Sequence, residues 1–397
     1  METKDIIQDI LPFINMAEIA QTYFHKGRGW LNHKVNRRIV NGVQYSLSRS
    51  DIEILSGALK DISAKLHSTS LTLDALVDLN IKEYGRYYTE GNPFNYTAFQ
   101  DWYNAIPKSY PIIEPFAGSC NIPHLFTEAG YDADWQCYDI NPERRCKWKV
   151  TKRDTIAKFP RGKVVITNPP FLAKNSAKRN GIPYPKSEYD NLYKHCLDLI
   201  LHKTDYAAVI LPDSFISAPE MKDRVSAIIS INEKMFNDTD YPVCLALFVP
   251  EKTRDFPIYI GNKFIGTYQG LQNSLSCKVK TDWIFNSPTG SIGVYCVDSS
   301  MPTIRFVFCT EIEPTKIKDS NRAYTRISGL PDNISISEFI QRCNEVLCQY
   351  RNDTSDVLLT SFKGLRKDRM YRKRISFSTI RDIMNFVLYQ MQNKHPK

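Results

Sequence analysis

The sequence predicts an α/β fold. Its centre is a doubly wound, largely parallel sheet, preceded by a small helical module and followed by an α+β region. Three observations point there. From about residue 81 to 250, apolar β-prone runs alternate with helical patterns. Two of those runs end in unusual tips, the small-residue turn at Ala117-Gly118-Ser119 and the tetrapeptide Asn168-Pro169-Pro170-Phe171. Beyond Pro250 the rhythm changes to short strand-like pieces broken by Gly and Asn, then to two long helical patterns. The expected boundaries are therefore 1–80, 81–250 and 251–397.

The first segment holds several short elements. Ile6 to Leu11 is apolar-rich and is interrupted by Pro12. Met16 to Phe24 carries helical periodicity, Gly27-Arg28-Gly29 breaks it, and Trp30 to Val35 resumes it. Ile39 to Tyr45 reads as two short strands about the Asn41-Gly42 turn. Ser50 and Glu53 have capping-box spacing ahead of a helix with Ile52, Leu55, Leu59, Ile62 and Leu66 on one face. The segment weakly resembles a helix-turn-helix-like module. Its basic cluster Lys26, Arg28, Lys34, Arg37 and Arg38 suits phosphate contacts, or a solvated face.

In the middle segment, strands are expected to end at Glu114, Asp139 and Thr167, with further strands at Tyr206–Leu211, Val225–Ile231 and Val243–Val249. A helix is expected over Asn191 to Ile200. In the last segment, strand-like pieces lie at Tyr259–Gly261, Gly266–Gly270, Ile292–Val297 and Ile304–Cys309, and helices at Ser337–Tyr350 and Ser378–Met391. Between those helices, Lys363 to Arg374 is the densest basic run in the chain, flanked by Phe362 and Phe377.

Composition narrows the function classes. With 397 residues and 42% hydrophobic content, the chain can build one large core and a smaller one. A net charge of +9 is compatible with a polyanionic partner. The ten cysteines are scattered, several lie in apolar runs, and none makes a close C-x-x-C pair, so buried free thiols in a reducing compartment are expected. The start Met1-Glu2-Thr3-Lys4-Asp5 does not read as a signal peptide and no stretch has bilayer-spanning length. A cytoplasmic protein without a membrane partner is expected.

The two tips carry the chemistry. Glu114-Pro115-Phe116-Ala117-Gly118-Ser119-Cys120 is a small-residue turn at the carboxyl end of a strand, where a ligand can approach the backbone. It lacks both the dinucleotide G-x-G-x-x-G pattern and a phosphate loop, so the ligand is not expected to be a pyrophosphate. Asp139 closes the next strand, where an acid can accept both hydroxyls of a ribose. Asp154 is placed either to accept an adenine amine or to cap a turn. In the tetrapeptide, two prolines hold the backbone extended and remove two N–H donors. Asn168 offers an amide acceptor, Pro169 a carbonyl and Phe171 a flat apolar face, together a slot for a planar group with an exocyclic amine.

On these motifs the chain resembles class I S-adenosylmethionine-dependent methyltransferases, and among them DNA amino-methyltransferases acting on adenine N6 with a gamma-like motif order, as in restriction-modification and phage enzymes. The resemblance covers roughly 85 to 250. It implies a Rossmann-like methyltransferase sheet, a C-terminal target-recognition region, and S-adenosylmethionine as cofactor with no metal. It also implies that Phe116, Ala117 and Gly118 pass beneath the methionine, with Glu114 in the same cofactor-binding set. Asp139 matches the ribose-binding acid, Ile140 a residue packing on the cofactor adenine, and Asp154 the acid near its amine. Tyr88-Thr89-Glu90-Gly91-Asn92-Pro93-Phe94 resembles the segment closing over the methionine, which brings in Thr89 and Phe94, although the usual Thr-Pro is interrupted. The usual glycine after Ser119 is replaced by Cys120.

The implied reaction is methyl transfer to an adenine N6 amine in duplex DNA after base extrusion, with Asn168, Pro169, Pro170 and Phe171 as the catalytic set. Double-stranded DNA is the implied partner, with a cognate restriction endonuclease as a further one. Lys174, Lys178 and Arg179 follow the catalytic tip and suit backbone contact, or a solvated loop. Lys363, Arg366, Lys367, Arg369, Arg372, Lys373 and Arg374 form the principal DNA-binding candidate, and Arg322, with Tyr324 and Arg326, a recognition surface. Pro212-Asp213-Ser214-Phe215 lines the target-base pocket or is a plain strand-to-helix turn. Competing readings are cytosine N4, RNA adenine or protein glutamine methylation, and a non-catalytic DNA-binding regulator.

Overall fold

A computed structural model of the protein describes residues 6–83, 89–142, 146–231, 233–236 and 241–393. The chain divides into two compact units, Met1–Lys82 and Glu83–Lys397. The first begins with a 3-10 turn, Gln8–Phe13, that contains Pro12. Helix α1 (Met16–Phe24) is capped by Asn15, whose Oδ1 accepts from the amides of Ala17 and Glu18 at 3.1 and 3.2 Å. Helix α2 (Trp30–Val35) leads to the hairpin β1 (Ile39–Val40) and β2 (Val43–Gln44). Asn41 and Gly42 turn it with φ of 51° and 78°, as an Asn-Gly hairpin turn requires. Helix α3 spans Arg49–Glu83. Its cap differs from the Ser50–Glu53 expectation. Ser48 Oγ accepts from Asp51 N at 3.2 Å and Asp51 Oδ2 accepts from Ser48 N at 2.8 Å, so the reciprocal box forms two residues earlier. Ile19, Ala20, Phe24, Leu31, Val35, Leu55 and Ala58 form this unit's own core.

The second unit opens with α4 (Thr97–Asn104), β3 (Ile112–Glu114), α5 (Asn121–Glu128), β4 (Trp135–Asp139), β5 (Val150–Lys152) and β6 (Val164–Thr167). Helices α6 (Lys174–Arg179) and α7 (Leu192–Lys203) lead to β7 (Tyr206–Pro212), β8 (Val225–Ser230), β9 (Val243–Phe248), β10 (Pro257–Ile260) and β11 (Lys263–Thr267). These strands make one nine-stranded sheet in the order β11-β10-β8-β9-β7-β6-β3-β4-β5. Pairing is parallel from β5 through β7, and β9 is inserted antiparallel between β7 and β8. This is a doubly wound α/β sheet. Both faces are covered, which is why the central strands are nearly continuously apolar. On β6 and β7, Val164, Ile166, Ala208 and Ile210 face Phe99 and Trp102 of α4 and Leu125 and Phe126 of α5. Val165, Ala207, Val209 and Leu211 join the cluster that holds Tyr193, Leu197 and Ile200 of α7.

The sheet does not stop near Pro250. Strand β10 pairs in parallel with β8, Ile258 opposite Ile228, because the segment after Pro250 is a turn returning the chain to the sheet edge. A second sheet follows helix α8 (Tyr268–Asn273). Its strands β12 (Ile284–Phe285), β13 (Ile292–Tyr295), β14 (Arg305–Phe308) and β15 (Tyr324–Ser328) are arranged in the order β12-β15-β13-β14. After α9 (Ile336–Thr354), the basic run folds as an antiparallel hairpin of β16 (Thr360–Leu365) and β17 (Tyr371–Arg374), before α10 (Phe377–Asn393). Ile292, Val294 and Ile327 of the second sheet, Phe339 of α9 and Ile380 of α10 belong to the same apolar cluster as one face of the large sheet. All ten cysteines are free thiols, and no helix among the described residues is long and apolar enough to cross a membrane.

One buried carboxylate ties the hairpin to the second sheet. Asp298, fully enclosed, takes a two-pronged bond from Arg351 at 3.1 and 2.9 Å and a third from Arg366 at 3.2 Å. Its oxygens also accept from the amides of Thr303 and Ile304 at 2.9 and 3.3 Å. Burial pushes its pKa up, but Arg351 and the amides outweigh that and hold it below the ordinary carboxylate value. Asp298→Ala should therefore destabilise the protein by about 2–3 kcal/mol in urea denaturation, since two largely buried guanidinium groups lose their shared partner, although Arg351 keeps Asp356 and Arg366 keeps Asp368. In the wild type the same contribution should vanish as pH falls through the depressed pKa. A loss below about 1 kcal/mol would show that the network does not hold the hairpin.

Candidate active site

The sheet order reverses between β3 and β6, and a doubly wound sheet opens its ligand crevice at the carboxyl ends of such a strand pair. Glu114 closes β3 there, and it is completely buried. Its Oε1 accepts from Phe116 N at 2.9 Å and from Thr167 Oγ1, at the end of β6, at 2.6 Å, so one carboxyl joins the two strand ends. Burial raises its pKa to about 8 against the pull of those two bonds, and neighbouring Asp139 adds to the rise. Its Oε2 is buried without a hydrogen-bond partner among the described residues.

The following turn is fastened to β4. Ala117 N donates to Tyr138 O at 2.9 Å and Gly118 N to Asp139 Oδ2 at 2.9 Å, while Asp139 Oδ1 accepts from Asn141 N at 2.7 Å. Gly118 and Cys120 both lie in the left-handed region, with φ of 49° and 65°. For Cys120 this costs about 1 kcal/mol, which its almost complete burial against Ala117 and Cys137 offsets. Contact with Cys137 and burial push its thiol far above the ordinary cysteine range, so Cys120 stays protonated and is unsuited to act as a nucleophile.

Thr89 links this turn to the second tip. It is buried and bridges Phe236 in antiparallel fashion. Asn121 Nδ2 donates to Thr89 O at 2.7 Å, and Asn168 Nδ2 donates to Thr89 Oγ1 at 3.1 Å. Ser119 Oγ donates to Asn121 Oδ1 at 2.7 Å. Ser119, Asn121, Thr89 and Asn168 therefore form one chain from the glycine turn to the Asn-Pro-Pro-Phe tip. With its nitrogen on Thr89, the Asn168 amide has its oxygen on the opposite edge, enclosed within the site. Phe171 is half-buried, with the rings of Tyr193 and Phe236 nearly perpendicular to it at 6.0 and 6.4 Å. Next to Thr89, Glu90 N donates to Met235 O at 2.9 Å. Gly91 has no room for a side chain, because a Cβ there would lie 2.6 Å from Lys234 O.

The structure thus brings Thr89, Glu114, Phe116, Ala117, Gly118, Asp139 and Asn168 into one connected site. Ile140 stands beside them with 48% exposure, an apolar side chain open at the mouth. Phe94 does not join them. It is fully enclosed, with Phe99 and Phe126 rings at 4.9 and 5.5 Å, and belongs to the core beneath the sheet. A ring lining an open crevice would be exposed. Asp154 is exposed, and its Oδ1 caps a turn by accepting from Ile156 N and Ala157 N at 3.0 and 3.1 Å. Tyr88 lies outside the described residues.

The basic candidates separate into two groups. Lys178, Arg179, Arg322, Lys367 and Arg369 are exposed, with Arg322 over the Phe377 ring at 4.9 Å. Lys174 is exposed as well but donates to Ser187 O at 2.9 Å. Lys373 and Arg366 are committed inside the protein, their side chains 13% and 10% exposed. Lys373 Nζ bonds Asp213 Oδ2 at 2.9 Å and Ser361 Oγ at 3.1 Å. Arg372 is half-buried and donates to the Asp298 carbonyl at 2.6 Å, and Arg374 is half-buried. Nothing is described of the Lys363 side chain. Tyr324 is half-buried, and Arg326 is buried and donates to Gly290 O at 3.0 Å.

Sequence reasoning missed three features. Asn121 and Ser119 complete the link through Thr89. Asp213 is an anchor rather than a pocket wall, accepting from Ser230 Oγ at 3.2 Å on one oxygen and from Lys373 and Ser361 on the other. Lys222 lies against the Phe215 ring at 3.4 Å and donates to Phe215 O at 2.8 Å, and burial pushes its pKa down to about 7.

A family model described as a domain of unknown function, DUF5053, matches residues 3–73. No curated protein matches the chain. Among solved structures, a protein of Vibrio vulnificus described as the modification subunit of a type I restriction enzyme is 15% identical, with 59% of each chain covered and a TM-score of 0.34. The type I restriction-modification methyltransferase subunit of Streptococcus thermophilus is 14% identical over 44% of this chain and 47% of its own, with a TM-score of 0.32. A Listeria monocytogenes protein described as a class I S-adenosylmethionine-dependent methyltransferase is 14% identical over 66% of this chain and 94% of its own, also at 0.32. The match thus spans less than two thirds of the first two proteins' lengths.

The raised Glu114 pKa has a measurable consequence. The folded state holds a proton there that the unfolded chain releases above the ordinary value of 4.5. The associated stability is complete below that value and is lost as pH rises toward about 8. In urea denaturation between about pH 5 and about pH 8.5, Glu114→Gln should lose less stability than the wild type, by on the order of a few kcal/mol. Equal pH dependence in the two proteins would show that Glu114 ionises normally.

Proposed function

We propose that the protein transfers a methyl group from S-adenosylmethionine to the N6 amine of adenine in duplex DNA, after extruding the base. The observation that carries this reading is the Thr89 link, which sets an amine-accepting amide, Asn168, beside a turn organised by a carboxylate, Asp139, at one switch point of the sheet. The donor set fits the cofactor. Asp139 uses one acceptor position on each oxygen for a backbone amide and keeps capacity for two ribose hydroxyls. Ile140 offers an exposed apolar surface for an adenine ring. Glu114 Oε2, buried beneath the turn, is an orphaned polar atom: it carries the proton of the neutral acid, and a cationic ligand donor there would pair with it once that proton is given up. When bound, the cofactor supplies a methyl group activated by a sulfonium.

The remaining work falls to the chain. An adenine N6 lone pair is delocalised into the ring. Asn168 Oδ1 and the Pro169 carbonyl each accept one N6 hydrogen, which favours a more tetrahedral nitrogen and directs its lone pair. In this arrangement the amide nitrogen is taken by Thr89 Oγ1, and the oxygen edge is the one directed to the amine. Phe171, held by Tyr193 and Phe236, stacks on the base. Fixed placement is the main catalytic contribution, since methyl transfer from a sulfonium is already favourable. The choice of adenine over cytosine rests on Asn168 and Phe171. Lys178, Arg179, Arg322, Lys367 and Arg369 are assigned to the DNA backbone, whereas Arg366 and Lys373 position the hairpin that carries Lys367 and Arg369. A cognate restriction endonuclease is a further partner in this reading.

Incubation with methyl-labelled S-adenosylmethionine and mixed duplex DNA, followed by nucleoside analysis, should yield N6-methyladenine. Asn168→Ala should lower transfer by at least about 100-fold, while cofactor affinity by calorimetry stays within about twofold. Asp139→Ala should instead weaken the cofactor itself. Wild-type turnover in Asn168→Ala would remove the catalytic assignment, and N4-methylcytosine as product would move the substrate to cytosine.

A further inference from the structure

We infer that the first unit carries a duplex-DNA contact of its own, centred on Lys26, Arg28 and Arg38. Charge in this unit is segregated. Residues 25–49 contain Lys26, Arg28, Lys34, Arg37, Arg38 and Arg49 and no Asp or Glu. Two of these cations are balanced from α3, Lys34 by Asp51 at 2.7 Å and Arg49 by Glu53 at 3.3 Å. Lys26, Arg28 and Arg38 are exposed and make no ion pair among the described residues.

Their segments all border α2. The Lys26–Gly29 turn leads directly into α2, where His33 N donates to Gly29 O at 3.0 Å. Arg38 N donates to His33 O at 3.0 Å, and Tyr45 N donates to Arg38 O at 3.0 Å, which brings the base of the hairpin to the same residue. The His33 and Tyr45 rings meet edge-on at 6.3 Å. The turn between the helices therefore enters α2 and the hairpin base is fastened to its end. Next to the cations, Ile39 and Val43 of the hairpin are 72% and 63% exposed, although β-branched residues ordinarily pack inward.

Exposed cations in a segment that contains no Asp or Glu suit a polyphosphate backbone. Two short helices on a glycine-containing turn are a common format for approaching a groove, and apolar side chains flanked by Arg suit contact with groove walls. A lipid surface is a poorer fit, since it needs a broad apolar helical face, and this patch offers two β-branched side chains on two-residue strands. The inference needs no cofactor and no methyl transfer, so it stands or falls apart from the proposed reaction.

The test uses the full chain and a fluorescent duplex of random sequence, with affinity measured by anisotropy over a range of salt. The variant Lys26→Gln/Arg28→Gln/Arg38→Gln should bind at least about 10-fold more weakly, and its slope of log affinity against log salt should be shallower by about 2–3, as for the loss of three phosphate contacts. The control Lys60→Gln/Lys65→Gln removes two exposed cations from α3 of the same unit and should keep the wild-type slope. Circular dichroism and thermal melting should be unchanged in both. A wild-type slope in the triple variant would overturn the inference. So would tighter wild-type binding to double-stranded RNA, or to vesicles of equal phosphatidylserine and phosphatidylcholine, than to the DNA.

Discussion

The carboxyl of Glu114 joins the ends of two adjacent parallel strands, β3 and β6, through a 2.6 Å bond to Thr167, and it is completely buried there. The sheet winds away from these strands in opposite directions. The glycine turn leaves from one strand end and the Asn-Pro-Pro-Phe tip from the other. Their spacing is therefore set by the pairing of β3 with β6 and by this bond at its end, rather than by the loops. A buried acid is expensive when charged, and the site avoids that expense by keeping Glu114 protonated over much of the neutral range.

From this fixed point the site is built by short-range bonds. Asp139 holds the Gly118 amide, Asn121 and Asn168 converge on Thr89, and the backbone beyond Thr89 is closed against Met235. The strained backbone at Cys120 is supported by burial against its neighbours. Farther out, two buried aspartates secure the C-terminal hairpin. Asp213 receives Lys373 from the end of β7, and Asp298 receives Arg351 and Arg366 beside the second sheet. The most basic stretch of the chain is thus partly scaffold. Some of its cations hold the hairpin in place and others, at Lys367 and Arg369, face solvent.

Much of this was legible in the sequence because local chemistry and periodicity agreed. Runs such as Val164-Val165-Ile166 could only be strands covered on both faces, and the Asn41-Gly42 pair marked its hairpin directly. Gly118, Asp139 and Asn168 were recognisable because each sits where a strand ends. What could not be read depended on distant partners. Phe94 lies in a plausible ligand segment, yet tertiary packing places it between Phe99 and Phe126. Arg366 and Lys373 resembled surface cations until the fold supplied Asp298 and Asp213. The return of the chain to the sheet at β10 was hidden because Pro250 and the polar residues after it look like a domain boundary. Asp154 offered both a ligand role and a cap, and its Oδ1 makes the cap.

The central claim is that the Thr89 link presents the Asn168 amide oxygen to an amine beside a cofactor held by Asp139. A crystal structure of the protein with S-adenosylhomocysteine bound tests it most directly. We expect the Asp139 carboxylate within hydrogen-bond distance of both ribose hydroxyls, the Asn168–Thr89 bond intact, and the amide oxygen opening on the side of the sulfur. A ligand seated away from Asp139, or an Asn168 side chain released from Thr89 and turned from the sulfur, would contradict the account.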